Sequence, residues 1–577
     1  MKKIIFLCFL SVFSKLIFSQ TVEVTIGNTV YPKLTDGSAH RSLVLNSNNS
    51  MNAIWRFSNG VFGTWADLGT GYNFFDGSSW LSTPTLRIEG DRTVAGSIVV
   101  TGTGKEMVVG CGTNVLANYF SSRPNVGTGI WADNTSLIVS PPGFIYSLLG
   151  PLMILGGTGQ DVIHHLSLTS PTYNFSGGGG GIYHQQDGAL MYSRSTDGGM
   201  SFALQNVLLD AFDSTRSAGY RVGNYSMDTR NNMVAIVAGG MGEDIVLAKS
   251  NNNGTSWNEV VVQDFPIPLF DDYANTDENG DLISDTIVTN DGSFSILIDN
   301  NDIVHIWWGK AMIYSDDNNF NPEQDFISVS RGMMYWNELL PAPVQIADVV
   351  DINSNTVMDA TAWGSYYVGL TSQPTSGMDA DGNLFVCYAG IVENTNDGTG
   401  KSYRNIYLIS STNGGASWSS PYAIKPDDFN EQVYPMMVKN VSNNRIRLLY
   451  ERDANPGHGI GLSNPDTDNM GVIHDIVYAE VPTADIGVIS TAGIGEQESG
   501  EVLVYPNPTS DYLIVQPTTT ESCEVGLYFP SGTAVDVPVL WLNGQMIMNV
   551  ESLSNGMYFL KLKTGDHVLI EKIIISQ

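Results

Sequence analysis

Between Thr21 and Pro482 the apolar residues fall into short runs, among them Ala189-Leu190-Met191-Tyr192, Ile245-Val246-Leu247-Ala248 and Ile406-Tyr407-Leu408-Ile409. Alternation of buried and solvated positions with period two predicts strands, and sustained helical periodicity is scarce. Each of these runs leads into a polar turn of one form. Ser195-Thr196-Asp197-Gly198-Gly199-Met200-Ser201-Phe202 is the first, Ser250 to Trp257 the second and Ser411 to Trp418 the third. Gly77-Ser78-Ser79-Trp80 keeps the tail of a degenerate fourth. The Ser and Asp or Asn side chains of such a turn accept hydrogen bonds from its own backbone N–H groups. Gly supplies the positive φ, and the final aromatic folds back onto the sheet. The expected structural residues are therefore Ser195, Asp197, Gly199 and Phe202; Ser250, Asn252, Gly254 and Trp257; Ser411, Asn413, Gly415 and Trp418.

A second pattern recurs beside the first. An apolar strand end, a polar turn and a buried strand appear in Met227–Val237, Ile298–Trp308 and Met378–Tyr388, with looser copies near Leu45, Val100 and Asn440. Repeats about fifty to eighty residues apart point to a radial or solenoid array. The Ser-x-Asp-x-Gly-x-Ser/Thr-Trp turns resemble the Asp-box of bacterial neuraminidase-type repeats. That resemblance, with short strands that must avoid open edges, implies a β-propeller over residues 21–482. The expectation is an all-β chain with six or seven blades, seven preferred; the stretch from Ser140 to Gly181 is ambiguous.

The end of the chain has a different character. Val504-Tyr505-Pro506-Asn507-Pro508-Thr509 leads into Tyr512-Leu513-Ile514-Val515, and Asn555-Gly556-Met557-Tyr558-Phe559 precedes a last strand, Glu571-Lys572-Ile573-Ile574-Ile575. In Tyr505, Pro506, Asn507, Pro508, Gly556, Tyr558 and Lys572 this stretch resembles the type A C-terminal sorting domain of the type IX secretion system. The resemblance implies a small C-terminal β-sandwich over residues 501–577, passage across the outer membrane, and the secretion machinery as a partner. Residues 483–500 are small and polar, which suits a linker open to proteolysis.

The first residues agree with export. Lys2 and Lys3 precede an apolar run from Ile4 to Phe13, too short to span a bilayer, so residues 1–19 read as a cleavable signal peptide. Its removal takes three lysines and no acid, moving the charge from −32 to −35. Such a surface repels nucleic-acid phosphates and anionic lipid, and suits Ca²⁺ and neutral or cationic ligands. No later apolar run is long enough for a transmembrane helix. Of the cysteines left, Cys523 lies in the tail, while Cys111 and Cys387 sit in apolar strands and are expected as buried small hydrophobes.

Candidate chemistry is sparse. Asp277-Glu278-Asn279-Gly280-Asp281-Leu282-Ile283-Ser284-Asp285 places oxygen ligands at alternate positions and closes on a carboxylate. It resembles the calcium loop of thrombospondin type 3 repeats, which implies Ca²⁺ on Asp277, Asn279, Asp281 and Asp285. Asn279 and Leu282 depart from that pattern. A sialidase needs an arginine cluster opened by Arg-Ile-Pro and a Tyr–Glu nucleophile pair; the nearest string is Leu86-Arg87-Ile88-Glu89, without the Pro. Arg221, Arg404 and Arg452 are the remaining arginine candidates. His164, His165, His184, His305, His458 and His474 lack a ligand-set spacing, and Gly-x-Ser-x-Gly is absent. Trp307-Trp308 with Met334-Tyr335-Trp336 suits blade core better than a sugar platform. The leading expectation is a secreted or surface-displayed module for binding or adhesion, with extracellular glycan as candidate ligand and no enzymatic activity. The rivals are an exo-acting glycoside hydrolase of the sialidase-like superfamily and a structural extracellular protein. Catalytic residues cannot be assigned from the sequence.

Overall fold

The computed structural model describes residues 20–576 apart from 39–40, 61–62, 114–116, 142–148, 173–179, 271–274, 317–324, 461–465, 470, 489–502, 517–522, 530–532, 543–544 and 565–566. The expected signal peptide, most of the expected linker and Gly177–Gly179 of the glycine run lie outside the described residues. The chain forms two compact units that divide between Ser490 and Thr491.

Among the described residues the first unit holds seven antiparallel sheets, each a meander in chain order. Their leading strands are Leu43–Leu45, Thr93–Val100, Leu149–Gly156, Tyr225–Arg230, Ile287–Ile298, Thr371–Met378 and Glu431–Met437. The ambiguous stretch after Ser140 thus contributes Leu149–Gly156 and Val162–Leu168 to the third sheet. The seventh sheet takes its fourth strand from the other end of the unit, where Val22–Thr29 pairs with His474–Pro482.

The packing follows from side-chain alternation. Successive residues of a strand point to opposite faces, so a middle strand feeds two neighbouring cores. In Leu384–Ile391, Val386 and Tyr388 pack with Trp307 and Tyr335 of the fifth sheet. Phe385, Cys387 and Ala389 pack with Leu448, Val477 and Ala479 of the seventh. Equivalent clusters join the first sheet to the second through Ile54 and Ile98, and the second to the third through Phe120 and Ile163. Tyr192 and Ile236 join third to fourth, and Leu247 and Ile296 fourth to fifth. The series returns to its start, because Val433 and Ile476 of the seventh sheet pack on Met51 and Trp55 of the first. Apolar faces are thereby covered on both sides without helices. Cys387 is fully buried and Cys111 nearly so.

The second unit has two four-stranded sheets around one core of Leu513, Val515, Leu527, Met546, Met548, Tyr558, Leu560 and Ile573. Among the described residues, no helix is long and apolar enough to cross a membrane.

Candidate functional site

The two ends of the meanders differ in their polar chemistry. At the turns between third and fourth strands, the Ser-x-Asp/Asn motifs close on themselves. Ser195 Oγ donates to Asp197 Oδ1 (2.7 Å), and Asp197 Oδ1 accepts the Met200 and Ser201 N–H groups, both at 3.0 Å. Asn252 accepts from Thr255 and Ser256 (3.1 and 2.9 Å), and Asn413 from Ser417 (3.0 Å). Gly199, Gly254 and Gly415 donate to Ser195, Ser250 and Ser411 at 2.8–2.9 Å. The aromatics then reach the preceding sheet: Trp257 meets Tyr192 edge-on at 5.1 Å, and Trp418 meets Tyr335 at 5.1 Å. Phe202 is buried against Phe120. A Cβ on Gly254 or Gly415 would lie about 2 Å from the Tyr192 or Tyr335 hydroxyl, so glycine is set by close approach as well as by φ. Those hydroxyls lie 2.7 Å from Nδ1 of His164 and His305. The two histidines support the turns from below, and burial drops His164 to about 3.

At the opposite end, where second strands finish and leading strands begin, polar groups meet from distant parts of the chain. Asp36 precedes the first sheet, and Arg56 lies at the end of that sheet's second strand. Tyr366 precedes the sixth sheet and Arg404 opens its third strand. Glu431 and Tyr434 lie on the leading strand of the seventh sheet, with Glu451, Asp453 and His474 on the next two. Asp36 excepted, these residues are all buried. Arg56 pairs with Asp36. Burial opposes ionisation of Asp36, but Arg56 and Lys33 outweigh it and hold the carboxyl well below its ordinary value. Arg404 Nη1 donates to the Gly369 carbonyl (3.0 Å) while its guanidinium lies over the Tyr366 ring at 5.2 Å. Burial pushes Glu431 up to about 8 despite nearby Arg404, so it is largely protonated at neutral pH. Burial, with Glu451 and Asp36, pushes the Tyr434 hydroxyl well above its usual value.

The backbone here is bent by design of the sequence. The leading strands of the fifth, sixth and seventh sheets each slip register, at Asn290/Phe294, Ser372/Thr375 and Val433/Met436. Gly292, Gln373 and Tyr434 occupy these slips with φ of +80°, +57° and +56°. A bulge re-aims side chains, and positive φ at Gln or Tyr costs about 1–3 kcal/mol. The sequence signal was a proline inside a strand, in Gln373-Pro374 and Tyr434-Pro435, which marks a bulge because proline cannot donate to the ladder. Deeper in, Asp228 is fully buried and binds Arg41 and Lys439 at 2.6 Å each, plus the Ile298 N–H at 2.8 Å. One carboxylate thus ties together segments of the first, fourth, fifth and seventh sheets.

Two recesses open nearby. One of about 460 Å³ is lined by Phe57, Asp67, Thr85, Leu86, Arg87 and Glu89. Arg87 is held there by the Glu89 and Leu68 carbonyls (3.2 and 3.3 Å), and Leu86 is 78% exposed. The other, about 190 Å³, is lined by Arg216, Ser217, Glu243, Asp244 and Asp264 among others. Burial raises Glu243 to about 7, against the Ser217 hydroxyl that donates to it at 2.6 Å.

The arginines singled out in the sequence do not converge. Arg221 is exposed, Arg404 is buried, and Arg452 pairs with Asp475 (3.3 Å) and Glu23 (3.6 Å). Trp307, Trp308 and Tyr335 are fully buried and present no platform. The acidic loop is exposed and coiled around Asp277, which accepts from Gly280 (2.7 Å) and Leu282 (2.9 Å). Asn279 donates to Asp285 at 3.4 Å. Leu282 holds φ +68° where the resemblance calls for glycine. The pattern recurs, unnoticed in the sequence, before the sixth sheet. Thr356 donates to Asp351 (2.7 Å), Asn353 donates to Asp359 (2.6 Å), and Ser354 and Thr356 also have positive φ.

In the second unit Asn507 clasps the final strand: its Oδ1 accepts from Ile574 N (2.8 Å) and its Nδ2 donates to the Lys572 carbonyl (2.7 Å). Pro506 and Pro508 flank it in cis peptides. Tyr505 accepts from Gln545 (3.2 Å), Lys572 is exposed, and Tyr558, two residues after Gly556, is buried with its hydroxyl on the Ser554 carbonyl (3.0 Å).

No curated protein sequence matches the chain. Among solved structures, it is similar to a family PL25 ulvan lyase bound to -[GlcA(1-4)Rha3S]-, at 10% identity and TM-score 0.44, covering 81% of this chain and 99% of that one. The GH93 α-L-arabinofuranosidase of Fusarium graminearum with arabinobiose follows at 10% identity and TM-score 0.34, over 81% and 99%. A Trypanosoma rangeli sialidase shows 9% identity and TM-score 0.31, over 96% and 89%. Likenesses this remote assign no chemistry to this chain. Residues 503–576 match the secretion system C-terminal sorting domain, and with that tail the protein is a type IX secretion cargo, exported across the outer membrane to the cell surface or beyond.

Proposed function

We propose that the exported body is a closed seven-bladed β-propeller that binds a neutral extracellular glycan without turning it over. The observation that carries this reading is the state of the polar groups at the loop-rich end. Arg56, Arg404 and His474 are each engaged by carboxylates or carbonyls of the protein itself. What faces solvent instead is the recess of about 460 Å³, with Asp67, Thr85, Arg87 and Glu89 around apolar Phe57 and Leu86. A few fixed polar groups on an apolar floor suit hydroxyl-rich ligands. The acidic surface disfavours polyanions. Titration of the mature protein against neutral and anionic polysaccharides tests this. Binding of a neutral glycan that weakens on Leu86→Asp, with no new reducing ends, is expected; release of sugar, or binding confined to anionic polymers, overturns it.

A hydrolytic reading is favoured by one observation, the half-buried Glu243 raised to about 7 beside Asp244 in a recess of its own. Glycoside hydrolysis uses a protonated carboxyl together with a second, ionised acid at a set separation; burial raises Asp244 too. Turnover of a chromogenic glycoside that Glu243→Gln abolishes would establish it, and absence of turnover in the wild type removes it.

We also propose that Asp277, Asn279, Asp281 and Asp285 hold a Ca²⁺ ion, supported by donor chemistry and by the recurrence of the loop at Asp351–Asp359. A melting temperature that rises with millimolar Ca²⁺ and loses that rise in Asp281→Ala is the expected result. An unchanged melting temperature sinks it.

A further inference from the structure

We infer that Glu451, Asp453 and His474 form a buried binding site for a divalent first-row transition ion such as Zn²⁺ or Mn²⁺. The site is built by strand register. Arg452 pairs with Asp475 and Glu451 with Ile476 on adjacent antiparallel strands. The next pair along brings Asp453 opposite His474, and the two-residue repeat puts Glu451 on the same face. His474 Nδ1 lies 2.9 Å from Glu451 Oε1 and 3.0 Å from Asp453 Oδ2. All three donor atoms fall within 4.8 Å of one another. Ligand bonds of roughly 2.1 Å at the right angles of an octahedral ion put neighbouring donors roughly 3 Å apart, the spacing of His474 Nδ1 from each carboxylate; the tetrahedral angle of Zn²⁺ would widen it to roughly 3.4 Å.

A second observation points to a ligand. Glu451 is 1% exposed, and its Oε2 has no hydrogen-bond partner among the described residues. A carboxylate oxygen left so in the interior costs several kcal/mol by general estimates, and a cation beside it removes that cost. One imidazole with two carboxylates selects a transition ion over Ca²⁺, which prefers an all-oxygen shell. The site is thus separate in chemistry and position from the exposed Asp277–Asp285 loop.

Metal analysis of the mature protein, purified from metal-replete medium and dialysed against metal-free buffer containing Ca²⁺, tests the assignment. About one equivalent of transition metal per chain is expected. Removal by a strong chelator should lower the melting temperature, and Zn²⁺, not Ca²⁺, should restore it. Substitution with Co²⁺ should give visible d–d bands that Asp453→Asn and His474→Gln lose, while Asp281→Ala keeps them. Folded wild-type protein with under about a tenth of an equivalent after Zn²⁺ or Co²⁺ loading overturns the proposal. That wild-type measurement decides even if the variants fail to fold.

Discussion

The rim turns and the loop-rich end use the same kinds of polar side chain in opposite ways. Within Ser195–Phe202 the Ser195 and Asp197 side chains bond inside the turn itself, with Asp197 accepting from Met200 and Ser201, while the Gly198 and Gly199 backbone also meets Asp161 and Lys105. Among the leading strands, by contrast, Asp228 binds Arg41 and Lys439, which are 187 and 211 residues away. Local hydrogen bonds form as soon as the turn forms and cost little to arrange. Long-range buried pairs exist only once the sheets have packed together, and removing one partner strands the other in a low-dielectric interior. Solvent exposure follows the same division. Asp197 keeps water at hand, and hydrogen bonds from Ser201 and Ser195 outweigh burial to hold it at about 2; buried Glu431 is driven up to about 8.

The sharpest way to break this comparison is Asp228→Ala. It leaves Arg41, Lys439 and the Ile298 N–H without their acceptor, so a loss of about 3–5 kcal/mol in denaturant unfolding is expected. A loss under about 1 kcal/mol would mean that water replaces the carboxylate and that the surroundings of Asp228 are not dry. Next comes Glu431. Its folded pKa is raised above the ordinary value, so the folded state holds the proton more tightly. Its contribution to stability is fully present below about pH 4.5 and is lost as pH rises towards 8. Glu431→Gln should flatten that fall, making the variant relatively more stable than wild type by up to a few kcal/mol at pH 8. If the two proteins show the same pH profile, Glu431 is solvated and the contrast with Asp197 fails.

Smaller effects are expected where bonding is local. Ser411→Ala removes the acceptor for Gly415 N–H in an otherwise intact turn and should cost about 1 kcal/mol in the same unfolding assay. A cost like that of Asp228→Ala would show that the turn is coupled to the sheets. Smallest is Leu282→Gly, at an exposed residue with φ +68°. Relief of left-handed strain against added chain entropy predicts stabilisation of about 0.5–1 kcal/mol, read by thermal melting without Ca²⁺.

Much of the architecture was legible in particular residues. Ile245–Ala248 and Ile406–Ile409 read as strands and form them, because period two is a local property. Tyr505-Pro506-Asn507-Pro508 marked the tail, and Asn507 clasps the last strand. Trp307 and Trp308 read as core and are fully buried. The loop-rich site was far less legible. Arg404 stands in the sequence as one arginine among several, and no local pattern marks Arg56, Glu431, Tyr434 or Asp228. Pro374 and Pro435 were the available clue to the bulges, but a proline announces a bulge without saying what the bulge faces. The loop at Asp351–Asp359 escaped because Asn355 and Thr356 replace the expected acid and glycine while keeping the backbone bend.

The sequence by itself determined the strands and the self-closing turns, since each rests on hydrogen bonds and apolar alternation within a few residues, and it marked the export tail through the motif Tyr505-Pro506-Asn507-Pro508. Tertiary structure alone decided which acids meet which bases. Seven similar sheets offer the chain no local label for its neighbours, and only their packing from Val22 through Pro482 sets Asp36 on Arg56 and Glu451 beside His474. Charge acts through space and through burial, and neither is defined until the surrounding sheets have excluded water.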